Sequence, residues 1–333
     1  MTRTLIVIDP MGFNLVSLGM QYLLLKGTLV QPGDTVYRLP YNNTAGIANI
    51  DAGVELLNTK LGNTTGEILV FGYSEGAQVA TAWLRKYGID SPVIPTSRLT
   101  FLLIGNAERR YGGFAYKHNN LNQICDVDGL PDPLSDGTST VHYAVTDFAR
   151  QYDGFADFPS ASDIQQVVDS VGAATSDPFN WALKALQDVV NAVIGAHADA
   201  ALNAVLGMQM VHTNYFTVTP DDQHNVRYTD PDHPLVEYVW SPTYPVPLLG
   251  IGQTFPSLDR EKRKSIETAF SRPVVLPSPN YAQISLFTTD FFGTDDDYRR
   301  VDETGWWPQP QDPVYPSTTL YPSPKLWPMG VPA

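Results

Sequence analysis

The chain has a single cysteine, Cys125, among its 333 residues. One cysteine excludes an intrachain disulfide, and it gives no support to a cysteine-based metal site. Basic residues are also few, with 21 Lys and Arg against 35 Asp and Glu, for a net charge of −14. This acidity argues against nucleic acid as a partner, because phosphate backbones are bound by stripes of Lys and Arg. It also disfavours electrostatic docking to anionic membranes.

Long hydrophobic runs are absent as well. No apolar run approaches the roughly 20 residues that span a bilayer, so we expect no stable membrane insertion. The N-terminal apolar run at 5–8 is too short for a signal peptide and is typical of a buried strand. Export would need a non-classical route or a leader outside this numbering.

The chain does contain a serine in a Gly-x-Ser-x-Gly pentapeptide at 72–76. An apolar run at 67–71 precedes the pentapeptide, and a helix-like segment at 77–87 follows it. Strand, sharp turn and helix in that order predict a nucleophile elbow, which lifts a serine hydroxyl clear of the sheet. Ser74 is therefore the predicted nucleophile, and a plain strand–turn–helix with an incidental serine is the alternative.

Two backbone N–H groups are predicted to form an oxyanion hole. In an elbow, one of them belongs to the residue after the nucleophile, here Glu75. The loop after an early strand supplies the other, and Met11 or Gly12 stands at that place. An ordinary turn is the alternative for this loop.

Strand-like and helix-like segments alternate along the first half of the chain. The strands are predicted at 5–8, 34–39, 67–71, 98–104 and 141–148, and the helices at 15–25, 47–61 and 77–87. This alternation predicts a doubly wound, mainly parallel sheet of the α/β-hydrolase kind.

Two later regions differ in character. Residues 160–207 carry apolar residues at helical spacing, so we expect a helical insert that serves as a lid or as a cap completing the core. The predicted hydrolase domain, with this insert, spans 1–275. Residues 276–333 are rich in Pro and aromatics near their end and predict an extended arm. Its aromatics would dock on the same chain or on a neighbour, and self-association or virion assembly is the predicted role.

A serine nucleophile needs a general base and an orienting acid, which follow in the order acid, then histidine, in this fold. His212 comes just after the helical insert and is the predicted base. Asp153 and Asp157 both lie in the segment 152–159 that follows the last strand of the alternation. We favour Asp157, because it sits in a turn leaving the strand, whereas Asp153 has a second use in capping that turn. Asp153 stays the alternative acid.

Four segments, in this order, resemble the PE-PPE domain of mycobacterial proteins, a serine-hydrolase family related to cutinases. They are GYSEG at 72–76, LIGN at 103–106, YDGFADFP at 152–159 and VHTNY at 211–215. The resemblance spans roughly 1–275. It implies a triad of Ser74, an aspartate of 152–159 and His212, with no metal or organic cofactor. It also implies esterase activity on acyl esters, or acyl transfer between lipids and sugars.

The sequence thus predicts a serine esterase that acts on lipid or glycolipid esters of a cell envelope. One alternative is an acyltransferase with the same triad. Another is a catalytically degenerate hydrolase fold that serves as a structural or binding module, for instance in a phage tail. The chain begins almost at its first strand and ends in an aromatic arm, which suits a member encoded by a mycobacteriophage and assembled into the virion.

Overall fold

The computed structural model describes residues 3–44, 46–89, 94–117, 132–135, 139–161, 164, 197–249 and 256–277. Within those residues, seven strands form one sheet in the order β2-β1-β3-β4-β5-β7-β6. The strands are β1 Arg3–Ile8, β2 Thr35–Arg38, β3 Glu67–Tyr73, β4 Leu99–Ile104, β5 Ala144–Arg150, β6 Val226–Thr229 and β7 Val236–Ser241. The helices are α1 Ile47–Gly62, α2 Glu75–Tyr87, α3 Phe114–Lys117, α4 Ala198–Met210 and α5 Pro256–Glu267.

The sheet is mainly parallel, as the alternation of elements predicts. Strand β6 runs antiparallel to β7, and the other pairings among the described strands are parallel. The chain passes from β1 to β2 on one side and then to β3 on the other, so the order reverses at β1. Ligands of open α/β sheets bind beyond the carboxyl ends of the strands at such a reversal. The α/β-hydrolase fold class is confirmed.

Apolar side chains fill both faces of the sheet. Successive residues of β1 alternate between two core clusters, with Leu5 and Val7 in one and Ile6 and Ile8 in the other. Helices α1 and α2 cover the face of Ile6 and Ile8. Because both faces are covered, a continuous apolar run is the sequence pattern that such a strand requires.

The helix predicted at 15–25 is absent. Two 3₁₀ turns, Met20–Tyr22 and Leu24–Gly27, stand in its place. Leu25 and Lys26 adopt left-handed φ values of 55° and 58°. Their N–H groups donate to the carbonyls of residues 215 and 216 at 2.9 and 3.0 Å. Bonds to a distant loop thus replace the bonds that a helix would have made.

The predicted insert at 160–207 lies largely outside the described residues, and α4 is the part of it that the structure describes as a regular helix. Of the predicted arm at 276–333, only 276 and 277 are described. Among the described residues, no helix has the length and apolar character that crossing a membrane requires.

Candidate active site

Ser74 stands at the apex of the turn between β3 and α2, in the strained conformation φ 55° and ψ −117°. The flanking glycines explain how the turn can be so sharp. A Cβ on Gly72 would lie 2.6 Å from the carbonyl oxygen of Gly76, and one on Gly76 would lie 2.1 Å from that of Ile8. The Ser74 N–H donates to the carbonyl of Ile104 at 3.0 Å. Backbone packing on both sides therefore holds the serine in place.

His212 connects the serine to an aspartate. Its Nε2 lies 2.9 Å from Ser74 Oγ, and its Nδ1 lies 2.9 Å from Asp153 Oδ1 and 3.1 Å from Oδ2. The histidine follows the end of α4, and its N–H donates to the carbonyl of Gly207 at 2.9 Å. It is 7% exposed, so bulk water has little access to the imidazole. The three side chains form the hydrogen-bonded series of nucleophile, base and acid.

The carboxylate of Asp153 is fully buried and well supplied with donors. It accepts hydrogen bonds from the Tyr215 hydroxyl at 2.6 Å, the Phe155 N–H at 2.8 Å and the Ala156 N–H at 3.2 Å. Burial alone would raise the pKa of Asp153, but the charge of His212 and these hydrogen bonds together hold the pKa below its ordinary value. The acid beside His212 is therefore ionised at neutral pH.

Asp157, the aspartate favoured by turn chemistry, is engaged elsewhere. Its carboxylate accepts from Arg272 Nε at 2.7 Å and Nη2 at 2.6 Å, from the Tyr152 N–H at 2.8 Å and from Trp240 Nε1 at 3.3 Å. The preference for Asp157 over Asp153 as the partner of His212 is therefore wrong. The carboxylate of Asp153 caps the turn and bonds to the histidine at the same time, so the two roles are compatible.

Several groups that sequence reasoning did not single out fix the imidazole. The Tyr73 hydroxyl donates to the His212 carbonyl, and the Phe155 ring lies 4.5 Å from the imidazole, centroid to centroid. Gly105 lies against the ring at φ 58°, where a Cβ would come within 2.7 Å of His212 Cε1. A glycine that ends a strand inside a motif was the available signal for this last contact.

The start of the loop after β1 lies against the elbow. Glu75 opens α2, and the close approach of Gly76 to Ile8 and Asp9 brings the loop after β1 alongside. The Gly12 N–H donates to the Asn43 carbonyl at 2.8 Å and is therefore engaged. No hydrogen bond in the described part of the chain takes the Met11 N–H. Of the two loop residues, Met11 is therefore the one whose N–H has no acceptor among the described residues.

Other titratable groups belong to separate contacts. His224 pairs with Asp222 at 2.8 Å, and the buried His233 pairs with Asp132 at 3.0 Å. Cys125 lies outside the described residues. Within the part of the chain that is described, no group of three or more His, Cys, Asp and Glu residues has an arrangement suited to a metal ion.

Comparison with known proteins places residues 30–165 in the PE-PPE domain family. The matched segment contains Ser74 and Asp153 and ends before His212. A similar curated protein is "Esterase PE16" of Mycobacterium tuberculosis, 29% identical over 46% of this chain and 23% of that protein. Another is "Uncharacterized PPE family protein PPE42" of the same species, 26% identical over 61% of this chain and 28% of that protein. The chain thus spans less than a third of the length of these relatives. The predicted resemblance is confirmed over the matched segment, which contains three of the four motifs.

Two solved structures share a partial likeness. A cutinase-like protein from Cryptococcus sp. is 17% identical over 47% of this chain and 79% of its own, with a TM-score of 0.30. An acetyl xylan esterase is 14% identical over 57% of this chain and 98% of its own, with a TM-score of 0.27.

Proposed function

Because residues 30–165 carry a PE-PPE domain, we propose that this chain is a carboxylic ester hydrolase with Ser74, His212 and Asp153 as its triad. The observation that carries the proposal is the unbroken hydrogen-bonded series from Ser74 Oγ to Asp153, with 2.9 Å at each imidazole nitrogen. A strained elbow presents the serine to this series. Serine, imidazole and ionised carboxylate in that geometry activate a hydroxyl for attack on a carbonyl.

The reaction follows from the order of the three groups, serine, imidazole and carboxylate. His212 Nε2 takes the proton of Ser74 as the serine oxygen attacks the ester carbonyl, and Asp153 accepts the Nδ1–H and stabilises the imidazolium. The N–H groups of Glu75 and Met11 donate to the oxyanion. The imidazolium then gives its proton to the departing alcohol, which leaves an acyl-enzyme. Water attacks the acyl-enzyme with His212 again as base, which releases the acid and restores Ser74.

An apolar acyl ester is the substrate class we propose, in the form of a lipid or glycolipid ester. The segment between Asp9 and Lys26 contains no charged residue, in a chain with a net charge of −14. It exposes Met11 by 40%, Phe13 by 45% and Leu18 by 46%. Uncharged, apolar surface on the segment that would supply the second oxyanion donor favours the approach of an acyl chain over that of a charged substrate.

The test is hydrolysis of p-nitrophenyl esters of increasing acyl length by wild type and Ser74→Ala. We expect the substitution to lower kcat by at least about 10³-fold, because it removes the nucleophile on which the other two groups act. Ser265→Ala, an exposed serine on α5, is the matched control and should behave as wild type. Equal turnover by Ser74→Ala and Ser265→Ala would remove the proposed mechanism.

A further inference from the structure

The carboxyl group of Glu75 lies in a buried polar cluster that the triad does not use. Glu75 directly follows the nucleophile along the chain and is 5% exposed. In the described part of the chain, its carboxyl has one hydrogen-bonding partner, the Tyr41 hydroxyl, with 3.3 Å between Tyr41 Oη and Glu75 Oε2. No cation among the described residues pairs with it.

Asp9, a buried acid that contacts the same tyrosine, has a cationic partner. Its carboxylate accepts from Arg38 Nε at 2.5 Å and from the Leu15 N–H at 2.9 Å. The positive charge of Arg38 therefore pairs with Asp9. An ionised Glu75 would have no opposite charge beside it in a buried environment, which is the costly case for a carboxylate.

The hydrogen bonds of Tyr41 also indicate that Glu75 is protonated. Tyr41 Oη also lies 2.5 Å from the carbonyl oxygen of Asp9, and the hydroxyl has a single proton to donate. The shorter contact takes that proton, so Tyr41 Oη is left as an acceptor towards Glu75. A hydrogen bond between the two side chains then requires the proton to be on Glu75. Burial raises the pKa of Glu75 to about 7.

This cluster lies against the loop that would supply the second oxyanion donor. Tyr41 binds the Asp9 carbonyl, and two residues later Asn43 Nδ2 donates to the Pro10 carbonyl at 2.7 Å. The Gly12 N–H donates back to the Asn43 carbonyl at 2.8 Å. The strip from Tyr41 to Asn43 thus holds the loop on both sides of Met11.

We infer that Glu75 is a positioning residue that works as a neutral acid. Its hydroxyl donates to Tyr41, whose hydroxyl donates to Asp9, and this chain of bonds ties the start of α2 to the loop of the oxyanion hole. Ionisation of Glu75 breaks the chain and places a negative charge beside the developing oxyanion, so activity falls. Tyr41 faces Glu75 directly, with Asp9 and Arg38 behind it. The inference rests on the proposed function, because it concerns the same site.

The first test is the pH dependence of kcat/KM for a p-nitrophenyl ester in wild type, Glu75→Gln and Tyr41→Phe. Above its midpoint, wild type should lose up to about tenfold in kcat/KM for each further pH unit, the limit for one ionisation that abolishes activity. Glu75→Gln cannot ionise and should lack this alkaline loss. Tyr41→Phe should move the loss to lower pH, because it removes the acceptor of the hydrogen bond that the protonated Glu75 donates. If Glu75→Gln fails to fold, the pH profile of Tyr41→Phe is the test.

The matched control is Glu67→Gln, an exposed glutamate at the other end of β3, which should keep the wild-type profile. A second readout needs no turnover. The infrared carbonyl stretch of a protonated carboxyl should disappear from wild type with a midpoint near the pKa of about 7, and this component should be missing in Glu75→Gln. Alkaline limbs that coincide in wild type and Glu75→Gln, or no such band, would overturn the role of Glu75 alone. Absence of ester hydrolysis in wild type at every pH would overturn the proposed function and this role with it.

Discussion

Replacing Gly105 with alanine would place a methyl group against the face of the His212 imidazole. The added Cβ would lie 2.7 Å from His212 Cε1 and 2.9 Å from Nδ1. Carbon atoms in contact prefer about 3.5 Å or more, so the ring or the backbone must yield by about 0.8 Å. The ring is held from other sides by Phe155, by Tyr73 and by its bonds to Asp153 and Ser74.

The expected effect on catalysis is large. A shift of that size lengthens the 2.9 Å contact between His212 Nε2 and Ser74 Oγ beyond hydrogen-bond distance. Misplacement of a catalytic group by about 1 Å costs on the order of 10²-fold in rate, and we expect a loss of this size in kcat/KM. The left-handed φ of 58° adds about 1–2 kcal/mol of destabilisation for alanine.

The assay is steady-state hydrolysis of a p-nitrophenyl ester, with urea unfolding to correct for stability. Gly33→Ala is the matched control, because Gly33 also has a positive φ, 92°, but nothing within 4 Å of the added Cβ. It shares the backbone cost without the contact to His212. Equal kcat/KM for Gly105→Ala and Gly33→Ala would refute the steric reasoning.

Three further predictions concern the carboxyl groups around the site. Asp153→Asn should lower kcat by about 10⁴-fold with the fold retained, the scale known for triad acids, as measured in activity assays with circular dichroism as the check on folding. Asp157→Asn should instead lower the free energy of unfolding in urea by about 3–5 kcal/mol, because it leaves the buried charge of Arg272 without its partner. Loss of kcat in Asp157→Asn and loss of stability in Asp153→Asn would restore Asp157 as the acid. Burial raises the pKa of Glu75 from 4.5 to about 7, so the stability that its proton contributes is complete below about pH 4.5 and is lost as pH rises through 7. The free energy of unfolding of Glu75→Gln relative to wild type should therefore rise by about 3 kcal/mol from pH 4.5 to 8. A difference that stays constant over this pH range in urea titrations would contradict a raised pKa of Glu75 in the folded protein.

The sequence was sufficient where local backbone chemistry decides the structure. The glycines of 72–76 are required by contacts below 3 Å within and beside the turn, so the elbow could be read from residue types alone. The apolar run of β1 likewise matches a strand covered on both faces. The motif at 211–215 pointed to His212, whose Nε2 lies 2.9 Å from Ser74 Oγ.

It was insufficient where partners lie far apart along the chain. The choice between Asp153 and Asp157 depends on Arg272, which is 115 residues from Asp157 and has no local signature. The missing helix at 15–25 depends on carbonyls of the loop after His212, which take the N–H groups of Leu25 and Lys26. Long-range hydrogen bonds thus overrode local propensity in both cases.

The proposed chemistry depends on activation of the Ser74 nucleophile by His212. The most direct measurement is treatment with a fluorophosphonate followed by peptide mass spectrometry of wild type and His212→Ala. We expect a single covalent adduct on the peptide containing Ser74 in wild type, and strongly slowed formation of the same adduct in His212→Ala. No adduct on folded wild-type protein, or an adduct on another serine, would contradict the claim.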